Sequence, residues 1–174
     1  GVTIQKMVTL PNKFELIIGM KKDPVFGAVI LVGMGGTAAE VFRDRALGLP
    51  PLNESLARHM LRSLKSWPLL KGYRGKPGAN LDRLIEILMR FSYLVADYPE
   101  FKELDVNPLV VTPDDVIALD ARVIVDRDMV SRTVRPYAHL AIRPYPEEFV
   151  AQRNLKDGTP VVLRPIKPED EPMW

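Results

Sequence analysis

Sixteen prolines stand in 174 residues, and their placement restricts the fold more than any other feature of the chain. Each fixes its own φ, removes a backbone donor and turns its predecessor away from helix. Seven of the sixteen (Pro136, Pro144, Pro146, Pro160, Pro165, Pro168 and Pro172) fall in the last 39 residues. The stretch 135–153 therefore reads as an extended linker. A first domain is expected over 1–134, and the truncated start of a second over 154–174. Within the latter, residues 155–165 look like a turn and a short strand.

Upstream, strand and helix signals alternate. Apolar runs at 14–21 and 28–32 flank Asp23-Pro24-Val25-Phe26-Gly27, a plausible hairpin connection. Asn53 is placed to cap a helix running to about residue 66, with Leu56, Met60, Leu64 and Trp67 on one face. Asn80 is placed to cap a second, with Leu81, Leu84, Leu88, Phe91 and Val95 as its apolar stripe and Pro99 as its stop. Short strands are expected at 102–107, 109–111 and 116–120, with Thr112-Pro113-Asp114-Asp115 as a turn. The fold class is α+β, a mainly antiparallel sheet flanked by helices.

Composition excludes several chemistries. With no cysteine there is no disulfide scaffold, thiolate metal site or cysteine nucleophile, which fits a reducing cytoplasm. A balance of 24 basic against 22 acidic side chains gives no reason to expect a nucleic-acid partner. The opening Gly1-Val2-Thr3-Ile4 has no basic leader or long apolar run, so neither export nor a membrane span is expected. It also lacks an initiator methionine, which leads us to expect a piece of a longer chain. His59 lies between Arg58 and Arg62 off the apolar stripe, and His139 lies in the linker. Neither has the partner pattern of a base or ligand, and no serine sits in a nucleophile elbow.

Two stretches are suited to phosphate chemistry. Along a strand, Glu103, Asp105 and Asn107 share one face. With a four-residue loop at 112–115, Val111 faces Val116, Leu109 faces Ala118 and Asn107 faces Asp120. That gathers oxygen donors of the kind Mg²⁺ takes alongside water and substrate phosphates. A two-residue loop would pair Asn107 with Arg122 instead, and a solvated polar sheet face has the same pattern. Gly33-Met34-Gly35-Gly36-Thr37 follows an apolar strand, where glycines let backbone N–H groups approach phosphate. It matches neither the dinucleotide fingerprint nor the P-loop, and an ordinary turn explains it equally.

Taken in order, Gln5-Lys6-Met7-Val8, Glu15-Leu16-Ile17-Ile18-Gly19, Asp23-Pro24-Val25-Phe26-Gly27, Gly33-Met34-Gly35-Gly36, Leu104-Asp105-Val106-Asn107-Pro108-Leu109 and Leu119-Asp120-Ala121-Arg122 resemble one family. It is the ATP-grasp portion of the NDP-forming acyl-CoA synthetases, relatives of the succinyl-CoA synthetase β subunit, and the resemblance covers about residues 1–125. It implies that Gln5, Lys6 and Met7 form a hinge at the adenine edge. It further implies that Glu15 lies in the nucleotide cleft, that Gly33, Gly35 and Gly36 form a phosphate-side loop, and that Asn107 and Asp120 ligate Mg²⁺ with Asp105 as a weaker third member. ATP and Mg²⁺ are then the cofactors, with acetyl-CoA or CoA serving the parent protein. The family's first lobe, with its lysine and phospho-accepting histidine, and its CoA-binding domains are partners this chain does not contain. It holds no catalytic residue of its own.

The wording Asp44-Arg45-Ala46 … Leu49-Pro50-Pro51-Leu52-Asn53, with Gly48 where stand-alone ligases tend to have arginine, looks like the branch fused to a GNAT acetyltransferase. Residues 157–170 are similar to the opening of a GNAT domain. This puts first a parent that acetylates lysines of a protein substrate while its ligase-like region binds nucleotide or acyl-CoA. An active ADP-forming acyl-CoA ligase is the alternative. An interaction module without a ligand leaves the order of motifs unexplained.

Overall fold

Alternation of apolar side chains gives two strands one buried face each. Leu16, Ile18 and Met20 are buried on β1 (Phe14–Asp23), as are Ala28, Ile30 and Val32 on β2 (Gly27–Met34). In this computed structural model, which describes residues 2, 7, 10–36, 43–130, 137–143, 145–167 and 170, the two strands form an antiparallel hairpin. The Asp23 carboxylate accepts the N–H groups of Phe26 (2.9 Å) and Val25 (2.8 Å) in its turn. Those two bonds hold its carboxyl below the usual range. The chain divides into two compact units, Gly1–Ile142 and Arg143–Trp174.

The first unit is a six-stranded sheet with helices packed on one face. Its order is β3 (Arg45–Gly48), β2, β1, β4 (Phe101–Val111), β5 (Val116–Ala118), with β6 (Ala121–Val125) also paired to β4. Every pairing is antiparallel. The core joins the buried strand residues to Ala57, Met60 and Leu61 of α1 (Glu54–Arg62), Leu70 of α2 (Trp67–Leu70), and Leu84, Leu88, Phe91 and Val95 of α3 (Leu81–Asp97). Each fully buried leucine contributes about 1.5–3 kcal/mol relative to exposure. Ser92, fully buried on α3, accepts the Leu52 N–H at 3.0 Å and so ties the approach to α1 onto α3. A short α4 (Arg127–Val130) follows β6.

Five elements depart from the sequence expectations. The first helix stops at Arg62 and buries Ala57, Met60 and Leu61, while Leu56 is 44% exposed. Ala57 brings the helix close to its neighbours and turns its buried stripe by one position. The chain then breaks because Asp44 takes the N–H groups of Lys65 (2.6 Å) and Ser66 (2.8 Å). The strands expected at 102–107 and 109–111 are one strand, continuous through a cis Asn107–Pro108 peptide. The strand expected at 116–120 ends at Ala118, and β3 and β6 appear where no strand was expected.

The second unit holds β7 (Ala151–Asn154), starting inside the expected linker, paired to β8 (Pro160–Leu163). Arg164 grips Asp170 through two bonds of 2.5 and 2.7 Å. That grip, helped by the Lys167 N–H, holds the Asp170 carboxyl down to about 2.

Candidate nucleotide and metal site

The face of the sheet turned away from the helices carries the site residues. Val111 pairs with Val116 and Leu109 with Ala118, the register that a four-residue loop requires. The ladder continues through the Asn107 N–H, which donates to the Asp120 carbonyl at 3.2 Å, and the Leu119 N–H, which donates to the Pro108 carbonyl at 3.1 Å. Asn107 and Asp120 are therefore adjacent across the ladder, and both are exposed. The Asp120 carboxylate accepts the Ala121 N–H at 2.9 Å. Asp105 is half-buried, paired with Arg122 on one side and Gly19 on the other. Its Oδ1 lies 3.5 Å from where a Cβ on Gly19 would stand. Glu103 takes the Arg122 guanidinium at 2.6 Å, which leaves Asp105 clear of that ion pair.

A bulge presents Asn107. The β1–β4 register steps from Leu16 opposite Leu109 to Ile18 opposite Val106, so Asn107 and Pro108 together face Ile17. Extra residues of this kind re-aim a side chain beside a site. The donor set of one amide and one carboxylate oxygen with room for water and phosphate fits a hard divalent cation. No group of three or more His, Asp and Glu side chains suited to a metal gathers among the described residues.

The glycine loop and Glu15 meet. The Gly35 N–H donates to the Glu15 carbonyl at 2.7 Å, and the Glu15 Oε2 lies 3.5 Å from the position of a Cβ on Gly36. Gly36 has φ +73°, which a glycine adopts without strain. Gly33 lies in β2, where a Cβ would come within 2.7 Å of the Asp44 carbonyl oxygen. Glu15 is also ion-paired to Lys13 at 2.8 Å. Met7 is 85% exposed, and Gln5 and Lys6 lie outside the described residues.

Sequence reasoning passed over three neighbours of this face. A depression of about 510 Å³ is lined by Ile17, Leu31, Gly33 and Met34 together with Arg43, Asp44 and Arg45. In the sequence Asp44 and Arg45 stand out only as family wording, since their roles depend on partners far away in the chain. His139, expected in a linker without a partner, is half-buried, with Nε2 3.1 Å from the Val95 carbonyl.

A family model for the ATP-grasp domain matches residues 1–125. The chain belongs to the ATP-grasp family. The β subunit of an ADP-forming acetate–CoA ligase of Pyrococcus furiosus is 38% identical over 124 residues, covering 71% of this chain and 53% of the subunit. A 4-hydroxybutyrate–CoA ligase (ADP-forming) of Nitrosopumilus maritimus is 44% identical over 111 residues, covering 64% of this chain and 16% of the ligase. Among solved structures, a dinucleotide-forming acetyl-coenzyme A synthetase of Ca. Korarchaeum cryptofilum with coenzyme A and Mg-AMPPCP superimposes with a TM-score of 0.63 at 34% identity. That match covers 67% of this chain and 55% of the other. This ATP-grasp chain thus spans about half the length of the P. furiosus subunit, and 18% of an ADP-forming acetate–CoA ligase of Archaeoglobus fulgidus. Among the described residues no helix is long and apolar enough to cross a membrane.

Proposed function

We propose that this ATP-grasp chain is the metal- and phosphate-holding lobe of an ADP-forming acyl-CoA ligase. The observation that carries the reading is the adjacency of Asn107 and Asp120 on the open sheet face. It occurs in a chain whose similar proteins are such ligases. In this reading Asn107 and Asp120 hold Mg²⁺, and Asp105 orients its water. Bound there, the ion neutralises charge on the transferring phosphate, which is most of what phosphoryl transfer asks of a protein. Gly33, Gly35 and Gly36 let the nucleotide approach the backbone. Glu15 fixes the loop through its carbonyl, and Gln5, Lys6 and Met7 meet the adenine edge. ATP, Mg²⁺ and acyl-CoA are then the ligands of the whole ligase, and the phospho-accepting histidine comes from outside this chain.

The ligase takes precedence over the acetyltransferase reading because the relatives are ligases. At Gly48 a Cβ would lie 2.5 Å from the Met60 sulfur, the end of a flexible side chain, so the position follows the packing of α1 as well as the family wording. An acetyltransferase opening concerns residues 154–174 alone and leaves the chemistry of the first unit unchanged.

The test is thermal. Mg·ATP at about a hundredfold over its Kd is expected to stabilise the protein by about 2.7 kcal/mol, read as a raised melting temperature. The double variant Asn107→Ala with Asp120→Ala is expected to abolish the rise. A rise of equal size in that variant overturns the metal assignment.

A further inference from the structure

One level of the open sheet face carries a row of residues from four strands. Ile17 of β1 stands opposite Gly33 of β2, and Gly33 opposite Arg45 of β3. On the other side of β1, the bulged pair Asn107 and Pro108 stands opposite Ile17. Directly paired residues share a face, so the neighbouring level of Ile18, Val32 and Ala46 turns to the helices, where all three are buried. The row Asn107, Ile17, Gly33, Arg45 turns the other way. Three strand spacings, about 14 Å, separate its ends.

Asp44 sets the direction of Arg45. It is 7% exposed, and its carboxylate is turned inward onto the N–H groups of Lys65 and Ser66. Successive strand side chains alternate, so Arg45 emerges on the open face, where it is exposed. It lines the depression of about 510 Å³ with Arg43, which is held at φ +44°. Among the described residues, the only acid lining that depression is the inward-turned Asp44. Among the described residues neither arginine has an ion-pair partner. Between them and the metal end lies Gly33, a buried residue of β2 that puts no side chain into the depression it helps to line. Two guanidinium groups with no ion pair among the described residues, lining one depression, match a ligand with several negative oxygens, and the guanidinium fork fits phosphate in particular.

We propose that Arg45 is a phosphate-binding residue of this lobe, gripping the polyphosphate of a nucleoside triphosphate from the β3 side while the Asn107–Asp120 end takes the metal. Arg43 adds positive charge to the same depression. The inference rests on the nucleotide reading above and assigns that site a cation of its own.

Calorimetric titration tests it with three probes: Mg·ATP, magnesium tripolyphosphate and AMP. Arg45→Ala is expected to weaken the first two by about tenfold, the loss of a charged hydrogen bond, with much less effect on AMP. Arg45→Lys is expected to recover part of the affinity. The unliganded melting temperature stays unchanged, since the side chain is exposed and has no ion pair among the described residues. If the unaltered chain binds neither Mg·ATP nor tripolyphosphate, both this inference and the nucleotide reading fall. If Asn107→Ala lowers Mg·ATP affinity while Arg45→Ala leaves it unchanged, only this inference falls. An equal loss for AMP and the polyphosphates likewise overturns it.

Discussion

Asp44 does more than any other single residue to organise the open face, although its carboxylate turns away from it. Its carboxylate starts α2 by taking two N–H groups, and its carbonyl accepts the Met34 N–H at 3.1 Å, locking the end of β2 to the approach of β3. Removing the carboxylate takes away the acceptor of two N–H groups, one of them on the buried Ser66. Asp44→Ala is therefore expected to cost about 3 kcal/mol in urea unfolding, since bonds to a charged group are worth about 1.5–3 kcal/mol each. Asp44→Asn, which keeps one acceptor oxygen, should lose clearly less. Equal losses for the two variants would show that packing, not acceptance of the N–H groups, is what Asp44 supplies. None of this was legible locally. Asp44 stands between two arginines like a solvated charge run, and its partners lie 21 and 22 residues downstream. The adjacency of Asn107 and Asp120 was legible because a short loop fixes a register by counting, and counting needs no distant partner.

At the scale of elements, the signals that worked were those contained within one segment. Asn53 and Asn80 both cap helices, accepting the N–H groups of Leu56 and Arg83. The apolar spacing of α3 matches its buried residues. Failures came where a neighbour decided the outcome. β3 is four residues with an arginine and a glycine, and it is a strand only because β2 offers it a ladder. β6, exposed along its whole length, is held by its pairing to β4. Asn80 bridges the two kinds of information. Besides its cap, its backbone N–H donates to the Thr112 carbonyl at 2.8 Å and its Nδ2 to the Asp114 carbonyl at 3.1 Å, fastening α3 to the β4–β5 loop. Asn80→Ala is expected to cost about 2 kcal/mol, at the upper end for a cap. Asn53→Ala, where the side chain makes the cap bond alone, should cost about 1 kcal/mol. Chemical denaturation of both variants checks the order, and a reversal would mean that the loop contact contributes nothing.

At the scale of the whole first unit, its closing segment is fastened back onto its opening hairpin. Leu140 is 4% exposed and bridges Gly27 at the hairpin turn, and His139 sets Nε2 against the Val95 carbonyl near the end of α3. Gly27 has φ +66°, and a Cβ there would run into the His139 carbonyl, so the turn glycine also makes room for this segment. The connection was hidden in the sequence because a proline-rich stretch reads as a linker until a burial partner is known. It has a consequence for pH. Burial, with the nearby Lys22 cation, lowers the His139 pKa from its ordinary 6.5, outweighing the raising effects of the Val95 bond and Glu100. The folded protein thus binds fewer protons than the unfolded chain in the window just below 6.5, and stability falls as pH falls through it. Above that window the stabilisation is fully present. Unfolding by urea at about pH 7.5 and about pH 5.5, a range in which histidine is the side chain that titrates from an unperturbed value, isolates the effect. The unaltered protein is expected to lose stability between the two, and His139→Gln to lose less. The variant should also start lower at the higher pH, because the buried contact of the neutral ring is gone. If the two proteins lose the same amount, the acid sensitivity belongs to other groups, and the closing segment is held by Leu140 alone.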